Sequence, residues 1–164
     1  MEDPTRQCVL FVCMGNICRS PTAEVVLRDI ARREGVLDRL TIDSAGIGNW
    51  QTGDPPDRRA ILHARRRGYD LTPLRARQVR ADDFTQFGWI LAMDRHNLRA
   101  LTALKPAGYR GNLGLLLDFA PHVGMREVPD PYYAGEREFE AVLDLIEAAC
   151  RNLLAQIRAA LPPQ

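Results

Sequence analysis

The chain has 164 residues, of which 46% are hydrophobic and 26% charged, and its formal net charge is +1. A chain of this length suits one domain that buries most of its apolar surface, and its near-neutral charge gives no broad field for nucleic acid or a membrane surface. No apolar run reaches the roughly 18 residues that span a bilayer, the N-terminus lacks a signal-peptide layout, and a domain of this size does not need its four cysteines paired, so a cytoplasmic chain is expected, with secretion by a non-signal route left open and a monomer as the default.

Short apolar runs alternate with helical patterns. Cys8 to Val12 reads as strand one. It runs into Cys13-Met14-Gly15-Asn16-Ile17-Cys18-Arg19-Ser20-Pro21, and Pro21 suits the first position of a helix. A thiol at a strand end, beside a helix N-terminus and a guanidinium, suits holding an oxyanion and attacking it. Met14, Gly15, Asn16, Ile17 and Cys18, between Cys13 and Arg19, can wrap as a cradle of backbone N–H donors. Arg19 adds a planar fork that clamps two oxygens at once. The same positive field favours a thiolate, and the Ser20 hydroxyl can donate to the sulfur. Gly15 and Asn16 tolerate the left-handed backbone of a tight cradle. Alone, a strand-terminal cysteine is as readily a buried core residue; arginine, serine and proline following in this order favour the nucleophile.

The helix from Pro21 repeats Ala23, Val26, Leu27, Ile30 and Ala31 at helical spacing, with Ser20 as its N-cap and Gly35 beyond its end. Leu40-Thr41-Ile42 makes strand two, Gly46 to Pro56 a Gly/Pro-rich loop, and Asp57 to Arg67 a basic helix stopped by Gly68. Phe87 to Met93 reads as strand three, Asp94 to Leu104 as a helix, and Asn112 to Leu116 as strand four. Asp130 then lies between Pro129 and Pro131, a pattern that by itself reads as a turn. The last helix repeats Phe139, Val142, Leu143, Ile146, Cys150, Leu153 and Ile157, and Leu161 to Gln164 reads as a frayed tail. This alternation predicts an α/β fold: a four-stranded parallel twisted sheet with helices on both faces and the anion-binding loop at the C-terminal end of the first strand. One domain over residues 1–164, with its core over about 7–158, is expected. His63, His96 and His122 have no metal-ligand spacing, so neither a metal nor another cofactor is expected.

The segment Cys13 to Pro21 resembles the phosphate loop of the low molecular weight protein tyrosine phosphatases, and Val128-Pro129-Asp130-Pro131-Tyr132-Tyr133 resembles that family's general-acid loop. Asp43-Ser44-Ala45-Gly46, Ala76-Arg77-Gln78-Val79 and Leu91-Ala92-Met93-Asp94 followed by Asn97-Leu98 match in register, so the resemblance covers nearly the whole chain. It implies a phosphoric monoester hydrolase acting on phosphotyrosine-containing proteins and holding inorganic phosphate or other oxyanions in its loop. Cys13 would be the nucleophile that carries a cysteinyl phosphate, Arg19 the clamp, and Asp130 the general acid and then base. Tyr132 and Tyr133 would form one aromatic wall, and Trp50 with Ile47 the other, leaving a slot for a phenyl ring. Asn16 and Ser44 would brace the loop from behind.

Some positions carry finer expectations. An arginine-phosphate phosphatase of this superfamily has threonine where this chain has Ile17, and isoleucine favours phosphotyrosine. Many members have a histidine two residues before Ala76-Arg77-Gln78; here it is Leu74, which puts the bracing network in question. Cys18 reads either as a thiol that traps oxidised Cys13 as a disulfide or as a small buried filler. Asp54 and Asp57 read equally as selectors of basic flanking residues and as solvated loop acids. Three rival functions remain: an arginine phosphatase, a phosphate-binding module without turnover, and an arsenate reductase. The last needs further downstream cysteines, and only Cys150, in a helical core stripe, is available.

Overall fold

β1 (Gln7–Cys13) is apolar and buried from Val9 onward because both of its faces are covered there. The computed structural model describes residues 3–163. In it, Val9, Phe11 and Cys13 point into a core built with α1 (Arg19–Arg33) and α5 (Glu136–Ala160). Leu10 and Val12 point the other way, into a smaller core with Phe84 of the four-residue helix α3 (Asp83–Gln86) and Leu101 of α4 (Arg95–Leu104). Strand side chains alternate between faces, so a hydrophobic run with two partners is what a central strand requires.

The strands β2 (Leu40–Gly46), β3 (Trp89–Ala92) and β4 (Asn112–Leu115) join β1 in the order β2-β1-β3-β4, and every pairing is parallel. The expected four-stranded parallel sheet with helices on both faces is therefore present. β2 is longer than Leu40-Thr41-Ile42, continuing in register until Gly46 lies opposite Cys13. Its polar residues Asp43 and Ser44 hid that continuation, and both have partners at the functional edge described below. β3 is shorter than Phe87 to Met93: the Phe87 N–H closes α3 on Asp83, while the Met93 N–H still reaches the Val12 carbonyl at 3.1 Å.

The helix ends follow local chemistry. α1 begins at Arg19 with Cys18 at its N-cap, so Ser20 is inside the first turn and is not the cap. Its hydroxyl is directed at the functional edge instead. At the other end Gly35 takes φ 74°, and the N–H groups of Gly35 and Val36 reach the carbonyls of Arg32 and Ala31 at 3.1 and 2.9 Å. That is the two-bond closure of a left-handed C-terminus. α2 (Arg58–Arg66) is capped by Asp57, whose carboxylate accepts from the Arg59 N–H, and packs against α5. α4 carries a capping box between Asp94 and Asn97. The expected frayed tail is tied down as far as it is described: Leu161 is buried and Arg39 donates to the Pro162 carbonyl at 2.6 Å. Gln164 lies outside the described residues. No helix among them is long and apolar enough to cross a membrane.

Candidate active site

All four parallel strands end on one edge of the sheet. β1 lies between β2 and β3, so chain connections diverge on either side of its C-terminal end, and a crevice opens there. Cys13 is the last residue of β1, 2% exposed, with its Sγ 3.0 Å from the Ser20 hydroxyl. Residues 14–18 then curl into α1. The first turn of that helix contains no acid, and Cys18 supplies no side-chain cap, so the positive end of α1 meets the loop unneutralised.

Asn16 holds the curl. It has φ 60°, the only positive φ of a non-glycine among the described residues. Gly15, which would tolerate this conformation, does not adopt it. The Asn16 amide donates to the hydroxyls of Ser20 and Ser44, both at 2.9 Å, and its carbonyl accepts from the Arg77 N–H at 3.0 Å. Ser44 in turn donates to Glu24 at 2.7 Å, and the second Glu24 oxygen pairs with Arg28 at 2.6 Å. Burial pushes the Glu24 carboxyl up to about 6, against the opposing pull of Ser44 and Arg28. The Arg77 side chain spans Asp43 and the buried Asp83. The bracing network thus closes through a backbone N–H and Glu24, with half-buried Leu74 taking no side-chain part. Gly46 belongs to the same fit: a Cβ there would lie 2.9 Å from the Met14 carbonyl oxygen and 3.0 Å from the Asn16 nitrogen.

Arg19 is 2% exposed. Its Nη1 donates to Asp94 at 2.7 Å and to the Val128 carbonyl at 2.9 Å, while Nη2 lies 3.5 Å from Asp130. Burial opposes its charge, but Cys13 and Asp94 outweigh that and hold the guanidinium firmly protonated. The other Asp94 oxygen caps α4 through the Asn97 N–H, which fixes the carboxylate that fixes the arginine. Asp130 is half-exposed, and its second oxygen accepts from the Tyr132 N–H at 3.1 Å.

A pocket at this edge is lined by Cys13, Met14, Gly15, Ile17, Cys18, Arg19, Trp50, Gln51, Asp130, Tyr132 and Tyr133. The fold thus brings together residues separated by more than half the sequence. Asn16, Ser20 and Ser44 stand behind the loop instead of lining the pocket. Ile47, expected beside Trp50, packs in the smaller core: its N–H extends the β2 pairing to the Cys13 carbonyl at 2.9 Å, which turns its side chain to the same face as Ala45. Trp50 and Tyr133 are 64% and 95% exposed, and the Tyr132 and Tyr133 rings meet edge-on at 4.8 Å. Asp57 is already used by the α2 N-terminus and by the Arg59 guanidinium, both of its oxygens being bonded, so it is not a free acid at the rim. Burial, then the nearby Asp57 and Cys13, push the Cys18 thiol up. All four cysteines are free, and no group that fits a metal ion occurs among the described residues.

Asp94, Glu24, Arg77, Gln51 and the Val128 carbonyl were not singled out as site groups from the sequence. The Asp94 position had a readable signal, since it follows strand three on the edge that carries Cys13. Glu24 had none, being one helical acid among many.

A family model described as low molecular weight phosphotyrosine protein phosphatase matches residues 8–162. The low molecular weight protein-tyrosine-phosphatase YfkJ of Bacillus subtilis is 42% identical over 150 residues, covering 92% of this chain and 95% of that protein. A protein tyrosine phosphatase from Entamoeba histolytica, solved with Hepes in the active site, superimposes with a TM-score of 0.90 at 37% identity, covering 93% of this chain and 97% of that one. The drosophila arginine phosphatase superimposes with a TM-score of 0.85 at 31% identity, over 92% of this chain and 97% of its own.

Proposed function

Because this chain belongs to the low molecular weight phosphotyrosine protein phosphatase family, and is therefore a phosphoric monoester hydrolase with protein tyrosine phosphatase activity, we propose that it works through a cysteinyl phosphate on Cys13. The phosphoryl group enters the cradle of residues 14–18, with its oxygens on the loop N–H groups and the Nε–Nη2 edge of Arg19, which otherwise faces Asp130. The Cys13 thiolate attacks phosphorus in line, forming the S–P bond as the P–O bond to the aryl group breaks. Asp130 gives its proton to the departing phenolate oxygen. In the second step the Asp130 carboxylate takes a proton from water, whose oxygen attacks phosphorus, and the S–P bond breaks to return thiolate and inorganic phosphate. The amides and guanidinium serve both steps by meeting charge on the equatorial oxygens.

The observation that carries this reading is the setting of Arg19. Asp94 and the Val128 carbonyl use one of its nitrogens, and the other lies 3.5 Å from Asp130 in the pocket that both residues line together with Cys13. A planar cation so fixed orients an oxyanion between a nucleophile and an acid. Ser20, 3.0 Å from the sulfur, steadies the thiolate as it leaves.

The aromatic rim of Trp50, Tyr132 and Tyr133 supports a phenyl phosphate as substrate, and buried Ile17 offers no hydrogen bond to a guanidinium. Phosphoarginine is the second reading, raised by the drosophila relative. Arsenate reduction is disfavoured by Cys150, which is fully buried in α5 with its thiol pushed up by burial. Cys18, close to Cys13 on the pocket wall, is the thiol that would capture an oxidised Cys13, and four free thiols fit a reducing cytoplasm. One assay tests the reading: turnover of an aryl phosphate beside a phosphoarginine, with Cys13→Ser and Asp130→Ala as controls. Aryl phosphate turnover lost with the sulfur and strongly slowed without the acid supports it; preference for phosphoarginine, or turnover by Cys13→Ser, overturns it.

A further inference from the structure

α2 presents exposed arginines with no ion-pair partner among the described residues, and its N-terminus is tied to the pocket loop. Its buried side is Ala60, His63 and Ala64, packed toward α5. At about 100° per residue, Arg58, Arg59, Leu62, Arg65 and Arg66 fall within an arc of about 120° on the opposite side. All five are exposed. Arg67, on a different bearing, is consumed by Glu140, Asp144 and Glu147 of α5. By contrast Arg58, Arg65 and Arg66 form no ion pair among the described residues, and Asp70, the nearest acid in sequence beyond the helix, is bonded to Thr72.

The stripe is anchored to the pocket wall at one end. The Asp57 N–H donates to the Ile17 carbonyl at 2.8 Å, tying the start of α2 to the loop. Arg59 donates to the Tyr132 carbonyl at 2.7 Å, and its guanidinium lies over the Tyr132 ring at 5.6 Å and the Phe139 ring at 4.8 Å. From Arg59 to Arg66 the helix advances about 10 Å, the reach of about three residues of extended chain.

We propose that the exposed arginine face of α2 is a docking surface for acidic residues flanking phosphotyrosine in the protein substrate, at about three to five positions from it. The proposal rests on the phosphotyrosine reading of the pocket and narrows its substrate class. Charge complementarity identifies the occupant: an extended, carboxylate-bearing segment continues from the pocket rim, past Arg59 with its own partner Asp57, along Arg58, Arg65 and Arg66, which have no ion-pair partner among the described residues. Leu62, 43% exposed in the middle of the row, gives the segment's backbone and side-chain stems an apolar contact. Of the two readings that the sequence left open for Asp57, selection of basic flanking residues is the one this orientation opposes, because Arg59 already neutralises that carboxylate.

The test compares two phosphotyrosine peptides that differ only in flanks, one with glutamates at these positions and one with glutamines, alongside a small aryl phosphate. The wild-type protein is expected to favour the acidic peptide about tenfold in kcat/KM, the combined effect of a few exposed ion pairs. The preference is expected to shrink at high salt, where the screening length falls to about 3 Å. Arg65→Glu with Arg66→Glu is expected to abolish it while both peptides and the aryl phosphate remain substrates. Equal use of the two peptides, a preference insensitive to salt, or a preference retained in the double variant overturns the docking surface. Stronger inhibition by single-stranded RNA than by an acidic peptide lacking phosphate also overturns it. Failure of the pocket reading is distinct, since it abolishes turnover of the small aryl phosphate as well.

Discussion

Asn16→Ala removes the side chain on which the phosphate loop is wound. Two donated hydrogen bonds, to Ser20 and Ser44 at 2.9 Å, and one accepted from the Arg77 N–H at 3.0 Å disappear together. At about 1 kcal/mol net for each, the loss is about 3 kcal/mol. Alanine must also hold the left-handed backbone at φ 60°, which adds about 1–2 kcal/mol. The sum, about 4–5 kcal/mol, is a large fraction of the 5–15 kcal/mol by which domains are typically stable. Asn16→Gly loses the same hydrogen bonds without the strain, but its freer unfolded chain costs about 0.5–1 kcal/mol. It should therefore sit about 1 kcal/mol above Asn16→Ala. Urea unfolding of the three proteins measures the order, and aryl phosphate turnover measures the loop. Both variants should fall well below wild type in kcat, because the loop that carries Cys13 and Arg19 loses the side chain that ties it to Ser20, Ser44 and Arg77. An alanine variant within about 1 kcal/mol of wild type, or with wild-type kcat, would refute the role given to this residue.

Three further outcomes are expected. The folded Glu24 carboxyl titrates near 6 against an ordinary 4.5, burial being the main cause, so the folded state holds that proton more tightly than the unfolded chain. The contribution of Glu24 to stability should then decline as pH rises from about 4.5 to about 6, by about 2 kcal/mol; Glu24→Gln should lack this slope in urea titrations, and parallel profiles would contradict it. Arg19→Lys cannot serve Asp94, the Val128 carbonyl and an anion at once, and should lower kcat by about 100- to 1000-fold; steady-state turnover within tenfold of wild type would count against the fixed fork. After peroxide and then thiol treatment, wild type should regain activity that Cys18→Ser does not, and equal recovery would remove Cys18 from any protective role.

The frame of the fold was readable in the sequence because its strands and helices announce themselves by apolar spacing and by Gly35, Gly68 and Asp94 at their ends. The first strand, with cysteine at its tip and Arg-Ser-Pro beyond, located the edge where everything else converges. What was not readable depended on long-range fit. Ser20 sits where a cap belongs by local rules, yet its hydroxyl is drawn to Cys13 and Asn16 by contacts that exist only in the folded chain. The polar pair Asp43-Ser44 looked like the end of a strand, although buried partners from α1 and from the segment around Arg77 let the strand continue. Ile47 lies three residues from Trp50, but the alternation of an extended chain sends it into the opposite core. Glu24 is an ordinary helical acid, and Asp94 an ordinary helix cap, until Ser44 and Arg19 are brought to them.

Catalysis by this chain turns on the sulfur of Cys13 accepting the phosphoryl group. Acid quenching of the wild-type protein during turnover of an aryl phosphate, followed by mapping of the phosphate by mass spectrometry, tests this directly. The expected result is a phosphothioester on Cys13 that forms with substrate and disappears as substrate is exhausted. Phosphate on another side chain, or unimpaired turnover by Cys13→Ser with no covalent phosphate, would contradict it.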